Sequence, residues 1–515
     1  MSRTYHNCTW GLHRTAPGTV PGIALVATLL VLGVRPNTEA RPPVPPGYVR
    51  SVVKTHTEET AFGDLDGDGR QDLITLRGND IRWHLQEPGG AFPESPDTKI
   101  GTDLGAGVVA TAPMPNRKGV EILIATADGL VRVRNGEKPG PALLRRATVL
   151  PARSPTPRLR FSPFVVAGPG QSRSVLLPTI QGLEVWTDGS GKWELASTIQ
   201  NALKALCTGP EGNVAFTRRY LVDFTQQDTN HDGLADLLIG LPAETGMVAV
   251  GVFRQKKAGG FGSTPDLRLT WPAEKGVYAQ LEDINQDGRP DVVLNTPDRA
   301  PWIIPGTFSG KVLVRVYLSG PDGQLRGTPD FLFRRNDWST ASSLVDVNAD
   351  GHPDFILGYL RINGVDDMIR LAREKRIPLE LRTFLYGEGG YTREPTFTRD
   401  IELCLNRVHL QFDFELMPTV VGRFLCLNGD FNGDGCQDLV VKRSTEEIAV
   451  HFLRPSKPGF SSRPDLTFAV ANTHRLDARD LNGDGRSDLI VDLDRRTKIL
   501  FISRDRNTPS AGDRE

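Results

Sequence analysis

Aspartate, asparagine and glycine recur in one nine-residue order, D-x-[DN]-x-D-G-x-x-D, at six places in this 515-residue chain. The copies read DLDGDGRQD from Asp64, DTNHDGLAD from Asp228, DINQDGRPD from Asp283, DVNADGHPD from Asp346, DFNGDGCQD from Asp430 and DLNGDGRSD from Asp480. Alternate side chains at positions 1, 3 and 5 of so short a loop can turn inward together. Glycine at position 6 permits the sharp bend, position 7 offers a carbonyl, and position 9 closes the set. All these donors are oxygens, with no His or Cys among them. Such a set suits a hard cation, Ca²⁺ before zinc or copper.

In the first loop the donors are Asp64, Asp66, Asp68 and Asp72, with the Arg70 carbonyl. Later loops put Asn at position 3, which keeps the oxygen and removes one charge. Their sets are Asp228, Asn230, Asp232 and Asp236; Asp283, Asn285, Asp287 and Asp291; and Asp346, Asn348, Asp350 and Asp354. The last two are Asp430, Asn432, Asp434 and Asp438, and Asp480, Asn482, Asp484 and Asp488. Without an ion, three or four carboxylates in nine residues would repel one another. About six Ca²⁺ per chain are therefore expected. An EF-hand would need Glu at position 12 and flanking helices. Position 12 is instead Thr75, Ile239, Leu294, Leu357, Val441 or Val491.

Each loop runs into an apolar, β-branched segment, as in AFGDLDGDGRQDLI from Ala61 to Ile74. These segments resemble the FG-GAP/VCBS repeat, the calcium-loop blade of integrin-alpha-like β-propellers. The resemblance implies an all-β propeller in which the loop joins a blade's first two strands and binds Ca²⁺ through the residues named. It says little about what the propeller binds.

The spacing of the copies counts the blades. Two worn copies fill the gap between Asp64 and Asp228. One has Pro113, Pro115, Arg117 and Glu121 at the donor positions, and the other Val166, Gly168, Gly170 and Ser174. Neither is expected to hold calcium. Gly-rich turns ending in proline, such as GGAFPESPD and GGFGSTPDLRL, mark a further strand in most repeats. Eight four-stranded blades result, with seven as the alternative. The last repeat offers only three strands. YVRSVVKTH, from Tyr48 to His56, is expected to supply the fourth and close the ring. A helical stretch from Val365 to Ile377 and a loop from Asn295 to Gly310 exceed the repeat.

The first forty residues read differently. Arg3, His13 and Arg14 precede an apolar run from Gly22 to Val34 and a small-residue site at Ala40, the pattern of a signal peptide. The run is short of the ~20 residues a transmembrane span takes. The domain plan is thus signal peptide 1–40, Pro-rich spacer 41–47, propeller 48–505 and polar tail 506–515. The protein is expected to be secreted, extracellular or in the cell envelope. Cys207, Cys404, Cys426 and Cys436 would remain, with Cys404 and Cys426 the expected pair.

Net charge is −1, and loss of residues 1–40 makes it −3. Six divalent ions would carry it to about +9, so the surface outside the loops leans basic. This points to an extracellular protein or glycan partner, with an anionic glycan favoured. Nucleic acid is not expected, since no basic run is present, and the oligomeric state is left open. No G-x-S-x-G, H-E-x-x-H or nucleotide loop occurs. His84, Tyr220, Tyr278 and His451 are catalytic candidates in principle, but ordinary strand positions explain them. Trp83, Trp186, Trp302 and Trp338 could be sugar platforms, although packing between blades is their usual use. The leading reading is a non-enzymatic binding or adhesion module. The alternative is an enzyme like the polysaccharide lyases that resemble this architecture.

Overall fold

The computed structural model describes residues 44–504, apart from 56–59, 151–158, 201–223, 298–311, 361–372, 405–423 and shorter breaks. Its strands form eight antiparallel blade sheets in chain order. We letter the strands of each blade a to d from the axis outward. Blade 1 is Thr60–Gly63, Asp72–Arg77, Asp80–His84 and Thr98–Gly101. Each later blade repeats this plan, and the acidic loop always joins a to b.

Strand b shows why the ring forms. Asp72–Arg77 is buried at every position except the last, so both of its faces meet protein. Leu73 turns toward blade 8, while Ile74 and Leu76 turn toward blade 2. A sheet apolar on both faces needs a neighbour on each side. Every one of the eight interfaces between successive blades holds such an apolar cluster, including that between blade 8 and blade 1. The ring has eight blades and is closed, as the repeat count predicts.

Closure is made by the strand Tyr48–Lys54, which pairs antiparallel with Thr497–Ser503 from Tyr48↔Ser503 to Lys54↔Thr497. It becomes strand d of blade 8, after Arg475–Arg479, Asp488–Asp492 and Thr497–Ser503. Val53 is wholly buried against blade 1, and the Tyr48 ring sits edge-on to Phe468 of blade 7.

The sheet of blade 2 departs from the four-stranded plan. Leu159–Phe161 adds a short fifth strand, parallel to strand a of that blade, Gly107–Pro113, and on its axial side. The repeat pattern gives no hint of it.

Four expectations need correction or fall outside the described residues. Cys404 ends strand d of blade 6 and Cys426 lies on strand a of blade 7. The two belong to different sheets, and Cys404, Cys426 and Cys436 are all free thiols. Cys207 lies outside the described residues. Most of Val365–Ile377 does too; of its described residues, Arg373 and Glu374 are helical, while Arg376 and Ile377 already belong to strand c, Arg376–Phe384. Asn295–Pro297 likewise ends strand b of blade 5, and 298–311 is outside the described set. Residues 1–43 and 505–515, which include the expected signal peptide and tail, also lie outside it. Among the described residues no helix is long and apolar enough to cross a membrane.

Val53→Asp places a carboxylate in the closing interface with no partner. It should cost about 3 kcal/mol or more in urea unfolding. A loss under about 0.5 kcal/mol, the size of an ordinary surface change, would mean the strand does not close the ring.

Candidate metal loops

The geometry of the six loops is a cascade of turns closed by their own carboxylates. The first Asp accepts from the N–H of the glycine at position 6: Gly69 to Asp64 at 3.0 Å, Gly288 to Asp283 at 2.9 Å, Gly435 to Asp430 at 2.8 Å. The side chain at position 3 accepts from N–H 5, and that at position 5 from N–H 7, as Asp66 and Asp68 do in the first loop. These Asx turns draw the side-chain oxygens to one side.

Position 9 anchors the loop. Asp72 Oδ2 accepts the Leu65 N–H at 2.7 Å, and its Oδ1 accepts the Gln86 N–H at 2.8 Å, just past strand c. The same two bonds recur at Asp236, Asp291, Asp354, Asp438 and Asp488. One carboxylate therefore ties loop, strand b and strand c together.

Two positions in each loop need a left-handed backbone. The glycine at position 6 was legible; position 4 was not. It is Gly67, Gly433 or Gly483 in three loops, at φ between 75° and 85°. In the others it is His231, Gln286 and Ala349, at φ of 56° to 58°. The signal was in the sequence: three of the six loops read G-D-G where one glycine would have served the bend. A second overlooked signal is the Asp of the strand c–d turns. Asp97, Asp266, Asp330 and Asp465 each accept an N–H across that turn, as Asp97 Oδ2 does from Leu85 at 2.7 Å.

The donor sets fit a hard cation. In the first loop Asp64, Asp66 and Asp72 bring one oxygen each within 4.8 Å of one another. In the fourth, Asp346 Oδ1 is buried with no hydrogen-bond partner, an acceptor site a cation would fill. Burial pushes Asp72, Asp291, Asp354, Asp438 and Asp488 up to about 7, despite the N–H groups that hold them, and Asp236 in the same direction. The neighbouring carboxylates add to the rise. Nearby positive charge is what would hold these groups ionised.

Blades 2 and 3 solve the same problem with arginine. Glu121, at the ninth position of the worn loop in blade 2, is wholly buried. Arg173 of blade 3 reaches it with Nη1 at 2.5 Å and also donates to the Pro113 carbonyl, at the loop's first position, at 3.0 Å. Its Nη2 donates to Asp188 at 2.9 Å, and Arg134 Nε donates to Glu121 at 2.7 Å. The Trp193 ring lies 5.3 Å from the Arg173 guanidinium. A guanidinium thus occupies the ground between donor positions 1 and 9.

The catalytic candidates have structural partners. His84 and His451 are buried, and Nδ1 of each lies within hydrogen-bond distance of a carbonyl in the strand c–d turn, of Pro93 and Ser461. Trp83 is buried between blades 1 and 2 and donates to Asn135 Oδ1, while half-buried Trp186 donates to Glu184. Tyr220 and Trp302 lie outside the described residues, as do the side chains of Tyr278 and Trp338.

A family model for FG-GAP-like repeats matches residues 283–357 and 430–491, which hold the loops at Asp283, Asp346, Asp430 and Asp480. The chain is an eight-bladed β-propeller that carries FG-GAP-like repeats. No curated protein matches it. Among solved structures, the FG-GAP propeller is similar to a lectin from Agrocybe aegerita, described as recognising non-reducing terminal N-acetylglucosamine. The likeness covers 88% of this chain and 87% of that one, at 12% identity and a TM-score of 0.36, too remote to bear on function.

Two substitutions test this reading of the loops. Ala349→Gly relieves a left-handed alanine and should stabilise by about 0.5–1 kcal/mol in urea unfolding; a destabilisation would contradict it. Arg173→Met leaves Glu121 and Asp188 buried without their shared cation and should cost about 3–5 kcal/mol. A cost under about 1 kcal/mol would show that the network is not holding the worn loop.

Proposed function

We propose that this FG-GAP propeller is a secreted or surface-displayed, calcium-stabilised binding module for a protein or glycan ligand. The observation that carries this reading is the sixfold repetition of one oxygen-rich loop at the same a–b junction of six blades. An active site is a single constellation, whereas a feature present in six blades serves the scaffold they share. Each loop would hold Ca²⁺ through side chains 1, 3, 5 and 9 and the carbonyl at 7, and the ion would supply the positive charge that the carboxylates lack.

Export is proposed from the Arg-flanked apolar run in residues 1–40, and it suits the metal. Extracellular modules fill calcium sites of only ~10⁻⁴ to 10⁻³ M. The basic lean of the calcium-loaded surface favours anionic glycans among the partners.

Equilibrium dialysis with ⁴⁵Ca²⁺ and thermal melting, with and without chelator, test the metal. One ion per acidic loop and a fall of more than about 10 °C on chelation are expected, since linkage to several sites accumulates. An unchanged melting temperature in excess chelator would overturn the reading. Binding to glycan arrays and cell surfaces by the calcium-loaded chain tests the module.

A further inference from the structure

The interface between blades 8 and 1 differs from a purely apolar one at its inner edge. A cleft of about 340 Å³ opens there, a size in the small-ligand range. Strand a of blade 8 places Arg475, Asp477 and Arg479 on one face by its two-residue period. Phe62 and Thr60 of blade 1 stand opposite, and Phe161 of the extra axial strand completes the rim. Buried Asp492 and Lys498 pair with each other in the lining.

The charges do not cancel. Lys498 answers Asp492, and Arg479 Nε lies 3.2 Å from Asp477 Oδ2. The Arg475 side chain is exposed and makes no ion pair or hydrogen bond among the described residues. One guanidinium is therefore left over, in a fork that matches a carboxylate. Beside it, the Arg479 guanidinium lies 5.8 Å from the Phe62 ring centre, so the apolar surface is half-covered and oriented. Phe62 and Phe161 offer ring faces, while Thr60 and Asp477 offer hydrogen bonds to hydroxyl groups. One negative charge, one apolar face and several hydroxyls describe a sugar acid.

We propose that this cleft binds a uronate unit of an acidic glycan, with Arg475 holding the carboxylate and Phe62 and Phe161 flanking the ring. This rests on the binding-module reading and deepens it. The occupant enters from the axial side of the ring, past the fifth strand of blade 2. Phe161 is thus a specificity element that only this blade contributes.

The test is calorimetric titration of the full calcium-loaded chain, at fixed free calcium, with oligomers of galacturonate, glucuronate and mannuronate and with their methyl esters. At least one acid series should bind, and its ester should bind about ten-fold or more weakly. Arg475→Gln should bring the acid down to the ester's affinity without moving the melting temperature, because Arg475 has no partner to lose. Phe161→Ala should weaken acid and ester alike. Equal affinity for acid and ester, an Arg475→Gln variant that binds like wild type, or no binding of any uronate would each overturn the proposal. If glycan-array or cell-surface binding survives Arg475→Gln, the module reading stands and this site falls. Calcium-independent melting would break the calcium reading while leaving the cleft's titration intact.

Discussion

Everything in this ring depends on keeping negative charge in a nine-residue turn between strands a and b. The turn is built from carboxylates because their oxygens can accept the N–H groups of positions 4, 5 and 6 as well as those of the neighbouring strands. Asp72 and its five counterparts accept from both position 2 and an N–H at or just past the end of strand c, so removing the carboxylate would loosen three segments at once. The cost is a cluster of like charges, several of them buried. A bound cation would resolve that conflict, and Ca²⁺ is the one we propose for the six acidic loops.

Blades 2 and 3 show the constraint from the other side. There the carboxylates of the loop are gone, save Glu121, and a guanidinium from the next blade stands against the remaining acid. The two solutions differ in reach. An ion would neutralise only its own loop, whereas Arg173 binds Glu121 of one blade and Asp188 of the next. Neighbouring loops are also tied through backbone: Ser487 N–H to the Asp430 carbonyl, Gln71 N–H to that of Leu481, and Val120 N–H to that of Asp64. The loops therefore make a linked belt around one end of the ring from blade 7 to blade 2.

What could be read from sequence was what repeats locally. The loops, the blade number and the closing strand all follow from a short pattern whose period and strand count are visible along the chain. The features that escaped are of two kinds. Left-handed position 4 and the Asp of the strand c–d turn repeat too, but their role is carried by backbone geometry rather than by residue type alone. The Arg173 network, the axial strand Leu159–Phe161 and the charged cleft join residues 13 to over 400 positions apart, and no local pattern announces them. The Cys404–Cys426 pairing failed for a related reason: proximity in the chain said nothing of their lying in different sheets.

The most direct test of the account is hydrogen–deuterium exchange of the calcium-loaded chain before and after chelation. If calcium anchors the acidic loops and arginine the worn ones, strands a and b of blades 1 and 4 to 8 should lose protection on chelation. The corresponding amides of blades 2 and 3, including Leu176, whose N–H bonds the Phe164 carbonyl, should keep most of theirs. Equal loss in all eight blades, or none in any, would contradict it.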